Sequence, residues 1–281
     1  MRRPNARLAL AAVLLTTLGV AFAGCGTDTP RGEPEPDVLS PAPATTDVPD
    51  PPDEVRPPVS ERCAGALGDL RVRERQFSAD DGTVLFAVEA GAGPRGVVLV
   101  PGTASQGVCI WGEAAQRLVA DGFHVLALDQ RCQGYSECPG GPGELDLDAL
   151  AAADELSSRG ARRVVVVGES RGGGVALAAA VRDQRVDAAV AVSAVWMNTF
   201  TDNPELPIEQ LVPMIRVPVL YLSARDDALV SQGAYRAWAA TTPQAEYAVW
   251  DDGGHGALLL GDPSSDPAPY RRLVQFLERV G

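Results

Sequence analysis

The stretch 164-VVVVGESRGGGVALAAA-180 decides how this chain folds. Four valines lead into Gly168-Glu169-Ser170-Arg171-Gly172, and an alanine-rich segment follows. A continuous β-branched run suits a strand buried on both faces. Alanine and leucine suit a helix. The stretch therefore predicts strand, tight turn and helix, with Ser170 on the turn. Three readings fit a serine there: a small-residue turn for helix packing, a phosphate loop, or a nucleophile held on a strained bend. The lysine of the G-x-x-x-x-G-K-[ST] phosphate loop is missing, which disfavours the second.

The flanking sequence repeats the same texture. Predicted strands are 71-RVRERQF-77, 83-TVLFAVEA-90, 96-GVVLVPG-102, 123-FHVLALD-129, 162-RRVVVVG-168, 187-DAAVAVSAV-195, 217-VPVLYLSA-224 and 245-AEYAVWD-251. Predicted helices cover 111–122, 144–160, 170–182, 231–241 and 267–280. Alternation of apolar strands with helices means a mostly parallel sheet covered by helices on both faces. The strands at 71–90 read as an antiparallel start. In open α/β sheets, chemistry gathers at the carboxyl ends of the strands.

Strand–Gly-x-Ser-x-Gly–helix is a nucleophile-elbow pattern. Gly168 and Gly172 avoid clashes across the tight bend. The helix that follows points its N-terminal amides toward the serine, where they favour developing negative charge. A nucleophilic serine needs a base, and the chain has only two histidines. His124 lies inside an apolar strand and reads as structural. His255, in 251-DDGGHGALL-259, follows the last strand between glycines, so it is assigned as general base and acid. The histidine needs an orienting carboxylate. Asp227, in 219-VLYLSARDDALV-230, is preferred over Asp226. The order Ser170, Asp227, His255 is that of an α/β-hydrolase triad.

On these residues the chain resembles the α/β-hydrolases of the serine esterase type, over roughly residues 75–281. Segment 97-VVLVPGTASQG-107 resembles the family's oxyanion loop, with Pro101 where histidine is common. Segment 127-ALDQRCQGYS-136 resembles its A-x-D-x-R-G-x-G-x-S loop, with Cys132 in place of a glycine. Segment 224-ARDDALV-230 resembles its acid-bearing G-x-x-D-x-x-V segment, which favours Asp227. The resemblance implies an oxyanion hole made by the backbone N–H groups of Thr103 and Arg171. It also implies hydrolysis of a small-molecule carboxylic ester through an acyl-enzyme. Peptidase, thioesterase, acyltransferase and a non-catalytic envelope binding protein are the other readings of the same scaffold.

Residues 196–216 are too few for a large cap domain, so an open cleft is expected, with Trp196, Met197 and Phe200 as candidate walls. Trp111 is expected to pack in the core. Asp129 and Arg131 are expected to stabilise their loop. Glu169 is expected to point away from the site, and Arg171 to pair with a nearby acid, contact with an anionic acyl group being the alternative.

The N-terminus reads as an export signal, residues 1–24. Arg2, Arg3 and Arg7 precede an apolar run from Leu8 to Ala23. The run ends in 21-AFAGC-25, which fits either an A-x-A cleavage site or a bacterial lipobox with Cys25 lipidated. The lipobox is preferred, giving a protein anchored on the outer face of the cell membrane, with free secretion as the alternative. Residues 25–61 are rich in Pro and Asp and read as a disordered linker. The hydrolase domain is assigned to 62–281.

Of five cysteines, four remain beyond Cys25: Cys63, Cys109, Cys132 and Cys138. An even number in an oxidising compartment suggests two disulfides, for which three pairings exist. With no C-x-x-C and two histidines, no metal site is expected, and no cofactor. The net charge of −13 and the lack of a basic patch exclude nucleic acid as an expected partner.

Overall fold

A computed structural model of the chain describes residues 56–103, 106–140, 143–196, 207–261 and 268–281. The segment read as an export signal, Cys25, most of the expected linker, Met197 and Phe200 lie outside the described residues.

Eight strands form one sheet: β1 Val72–Ser78, β2 Val84–Ala90, β3 Arg95–Val100, β4 His124–Asp129, β5 Arg163–Glu169, β6 Ala188–Val192, β7 Val219–Ala224 and β8 Ala245–Trp250. Their order is β1-β2-β4-β3-β5-β6-β7-β8. β1 and β2 pair antiparallel, as do β2 and β4. The pairs from β4 and β3 through to β8 are parallel. The helices are α1 Val59–Arg62, α2 Gly112–Ala120, α3 Leu145–Ser158, α4 Arg171–Arg182, α5 Ile208–Leu211, α6 Gln232–Thr241, α7 Leu258–Gly261 and α8 Ala268–Val280.

The valine runs are explained by where alternate side chains go. Successive residues of a strand face opposite sides of the sheet. Val98, Val100, Val164, Val166, Ala189 and Ala191 join one buried cluster, shared with α3, α4 and α6. Val97, Leu99, Val165, Val167, Val190 and Val192 join the other, shared with α1, α2, α7 and α8. Both faces are covered, so neither set of positions is polar. β1, at the edge, instead alternates exposed and half-buried residues. Trp111 is fully buried in the second cluster.

Helix α6 is tied to the sheet through a buried tyrosine. The Tyr235 hydroxyl accepts from the Ala194 N–H and donates to the Ala191 carbonyl. This fixes the backbone that leaves β6. The connection to β7 then carries only α5 and a short turn of 3₁₀ helix, Val212–Met214, among its described residues.

The disulfides are Cys63–Cys109 and Cys132–Cys138. The first joins α1 to the turn before α2; the second closes a six-residue separation after β4. Residues just upstream of 62 also contact the domain. Val59 is buried and its N–H donates to Glu74. Arg56 donates to the Tyr135 carbonyl, and the Tyr135 hydroxyl donates to that of Pro57. Composition marks this stretch as linker, but one apolar side chain and a disulfide dock it.

Candidate active site

The carboxyl end of β5 delivers Ser170 on a bend that ordinary residues avoid. Its φ is 52° and its ψ −122°, backbone that costs about 1–3 kcal/mol in a non-glycine residue. The surroundings hold it there. The Ser170 N–H donates to the Val192 carbonyl, and its own carbonyl accepts from the N–H groups of Gly173 and Val195. The flanking glycines have no substitute. A Cβ on Gly168 would lie 1.9 Å from the Gly172 oxygen, and one on Gly172 would lie 2.2 Å from the Val100 oxygen. Ser170 is the N-cap of α4, so the helix starts at the serine.

His255 follows β8 on a loop whose glycines take left-handed angles, with φ of 67° at Gly254 and 68° at Gly256. Its Nδ1 lies 2.8 Å from Asp227 Oδ2 and 3.0 Å from Oδ1. The Asp227 carboxylate is fully buried and also accepts from the Leu229 N–H. Asp226 has a different role. It accepts from the N–H groups of Gly253 and Gly254, bracing the histidine loop from outside. His255 Nε2 is buried and hydrogen-bonds to none of the described residues, Ser170 included. With Nδ1 held by a carboxylate, the tautomer that leaves Nε2 as acceptor is favoured. The site thus has a buried acid, a histidine oriented by it, and a ring nitrogen available for a proton.

Glu169 and Arg171 depart from the expectations of the sequence. Alternation along a strand predicts that the neighbour of Ser170 points away. Ser170 is not in strand conformation, so alternation stops at the bend. Glu169 is 5% exposed. Its Oε1 accepts from the Gly102 N–H at 2.5 Å, and its carboxylate also accepts from the Ala257 N–H. A Cβ on Gly256 would lie 2.0 Å from Glu169 Oε2. One carboxylate therefore spans the loop after β3 and the histidine loop. Burial raises its pKa; the two amides, His255 and Arg171 oppose this. Arg171 forms no ion pair among the described residues. Its Nη2 donates to the Gly102 carbonyl at 3.3 Å and to Gln130 Oε1 at 3.1 Å. Burial lowers its pKa, while Asp148 and Glu169 act to raise it.

Asp129 and Arg131 hold the loop after β4. Asp129 pairs with Arg62 and accepts from the N–H groups of Val108 and Tyr135. Arg131 bridges Asp148 and Asp81. His124 is 1% exposed and pairs with Glu89 at 2.7 Å inside the fold.

Thr103, at the end of β3, is exposed and is the last described residue before position 106. A cleft of about 450 Å³ is lined in part by Ala194, Val195, Trp196, Ile208, Leu229 and Val230. Val195 bonds the Ser170 carbonyl and Leu229 bonds Asp227, although Ser170, Asp227 and His255 do not themselves line the cleft. A second cleft of about 470 Å³, between α2 and α8, is lined by Arg117 and Tyr270 and contains neither serine nor histidine.

A family model described as alpha/beta hydrolase fold matches residues 97–211. No curated protein matches the chain. Among solved structures, an esterase of Pyrococcus furiosus is similar with a TM-score of 0.65 at 18% identity, covering 80% of this chain and 94% of that one. An esterase of Exiguobacterium antarcticum gives 0.60 at 17%, covering 73% and 100%. An esterase of Rhodococcus sp. gives 0.58 at 18%, covering 74% and 99%. At such identities the likeness bears on the fold.

Proposed function

Taking as premise the α/β-hydrolase fold that the family model and the solved structures support, we propose that the chain is a serine hydrolase that cleaves carboxylic esters, exported and held on the outer face of the cell membrane by lipid on Cys25. The observation that carries the chemistry is the pairing of His255 Nδ1 with the buried Asp227 carboxylate, with Nε2 unengaged, on a loop that meets Glu169 immediately before a serine on a strained elbow.

The reaction follows from these groups. Nε2 of His255 takes the Ser170 proton as Oγ attacks the acyl carbon, and the carbonyl oxygen becomes an oxyanion. The backbone N–H groups of Thr103 and Arg171 stabilise it. Asp227 stabilises the imidazolium, which then returns the proton to the departing alcohol. Water, deprotonated by the same nitrogen, releases the acid and restores Ser170. The apolar cleft lined by Trp196, Ile208, Leu229 and Val230 would take the acyl chain.

Titrating the full chain with p-nitrophenyl esters of increasing acyl length tests this. The expected result is a burst of nitrophenol and a mass increase of one acyl group on the Ser170 peptide. Absence of both turnover and acylation on folded protein would contradict it. The anchoring half rests on 21-AFAGC-25 and on two disulfides, which persist in oxidising compartments. Cys25→Ser should move the protein out of the detergent-extracted membrane fraction; unchanged partitioning would remove the lipid from the account.

A further inference from the structure

We propose that the side chains of Arg171, Gln133 and Glu169 are positioning residues that lock the Gly102–Thr103 peptide with its N–H preset toward the oxyanion. The inference rests on the serine-hydrolase reading above and deepens it.

The argument is geometric. The Gly102 carbonyl and the Thr103 N–H belong to one peptide unit, and no described peptide is cis. In a trans peptide those two groups point in opposite directions. The Gly102 carbonyl accepts from Gln133 Nε2 at 2.8 Å and from Arg171 Nη2 at 3.3 Å. Both of its lone pairs are therefore used, and the Thr103 N–H is turned away from Arg171 and Gln133. On the other side of the same residue, the Gly102 N–H is bound by Glu169. Rotating either peptide breaks a bond to a side chain that has few other partners.

The identity of Arg171 is then intelligible. A buried guanidinium without an ion pair is costly, and its neighbour Asp148 is already committed to Arg131. Its reach is used on a main-chain carbonyl and on Gln130. Two loops meet on Gly102: the elbow through Glu169 and Arg171, and the loop after β4 through Gln133. Glycine is required there, because a Cβ would lie 2.5 Å from Glu169 Oε1 and 2.9 Å from the Ser170 Cβ. An oxyanion donor contributes most when no reorganisation is needed at the moment of reaction. Bonds to the far side of the donor peptide supply that rigidity without touching substrate.

The test uses the full chain carrying Arg171→Met, Arg171→Lys or Gln133→Met, with kcat and KM measured on one p-nitrophenyl ester. Inhibition by a trifluoromethyl ketone is measured beside them. Ser170 Oγ adds to that ketone carbonyl, His255 takes the proton, and the resulting hemiketal oxygen occupies the place of the oxyanion. Arg171→Met should lower kcat by roughly 10- to 100-fold, below the loss from deleting an oxyanion donor outright. KM should stay within about twofold, and ketone affinity should fall in parallel with kcat/KM. Arg171→Lys should regain part of the loss. Gln133 is half-buried, so Gln133→Met tests the same carbonyl even where Arg171→Met fails to fold. Variants with unchanged kcat, or with lowered kcat and undiminished ketone affinity, overturn the positioning role while the serine-hydrolase reading stands. A wild-type chain that neither cleaves esters nor takes the ketone overturns both.

Discussion

Ser170→Ala is expected to remove ester turnover and to leave the fold intact. The alanine keeps the Cβ, the N–H to Val192 and the carbonyl bonds to Gly173 and Val195; only the hydroxyl goes. Without a nucleophile the acyl-enzyme cannot form, and the loss should be on the order of 10⁶-fold in kcat, as when such a serine is deleted elsewhere. Stability gives an independent reading of the same bend. At φ 52° and ψ −122°, the backbone strain of about 1–3 kcal/mol is relieved by glycine, against about 0.5–1 kcal/mol of added chain entropy. Ser170→Gly should therefore be inactive yet more stable to urea by roughly 1 kcal/mol. A Ser170→Ala variant that still turns over stable esters would overturn the nucleophile assignment. A Ser170→Gly variant less stable than wild type would overturn the claim of strain.

Asp227→Asn should be nearly as severe. The amide keeps the size of the side chain but presents an N–H where the histidine needs an acceptor, so the wrong tautomer is favoured. A loss of about 10⁴-fold in kcat is expected, with the fold retained. Asp226→Asn is the matched control. Asp226 accepts from Gly253 and Gly254 and does not reach the imidazole. Each of its two oxygens accepts one of those amides, at 3.4 and 3.1 Å, so the asparagine loses one of two long bonds on an exposed loop, and a change within about tenfold is expected. Equal losses in the two variants would contradict the division of labour between the adjacent aspartates.

The fold is legible in the sequence because both faces of the central strands are covered. Residues 164–167 are all valine since Val164 and Val166 meet one helical layer while Val165 and Val167 meet the other. The edge strand β1 shows the opposite case, and its charged residues mark it as an edge. The candidate site is legible in part for a related reason. Ser170, Asp227 and His255 each stand just past a strand, so the strand pattern also points to them.

What sequence reasoning missed lies where local regularity breaks. Glu169 is expected to point away from the site, yet the bend at Ser170 leaves its carboxylate bound to the Gly102 N–H. The burial of Arg171 beside the Gly102 carbonyl depends on where the loop after β4 returns with Gln130 and Gln133, which no local pattern encodes. The docking of residues 56–61 hangs on Val59 and Cys63 in an otherwise linker-like composition. A sharper signal was present at Glu169: a carboxylate beside a candidate nucleophile, in so apolar a segment, has to find donors.

The most direct test of the central claim is labelling of the full chain with a fluorophosphonate, with the modified peptide mapped by mass spectrometry. Ser170 Oγ displaces fluoride from phosphorus, and His255 accepts the proton. The account predicts a single adduct on Ser170, absent in Ser170→Ala and slowed in Asp227→Asn. Folded protein left unmodified, or modified on another residue, would contradict it.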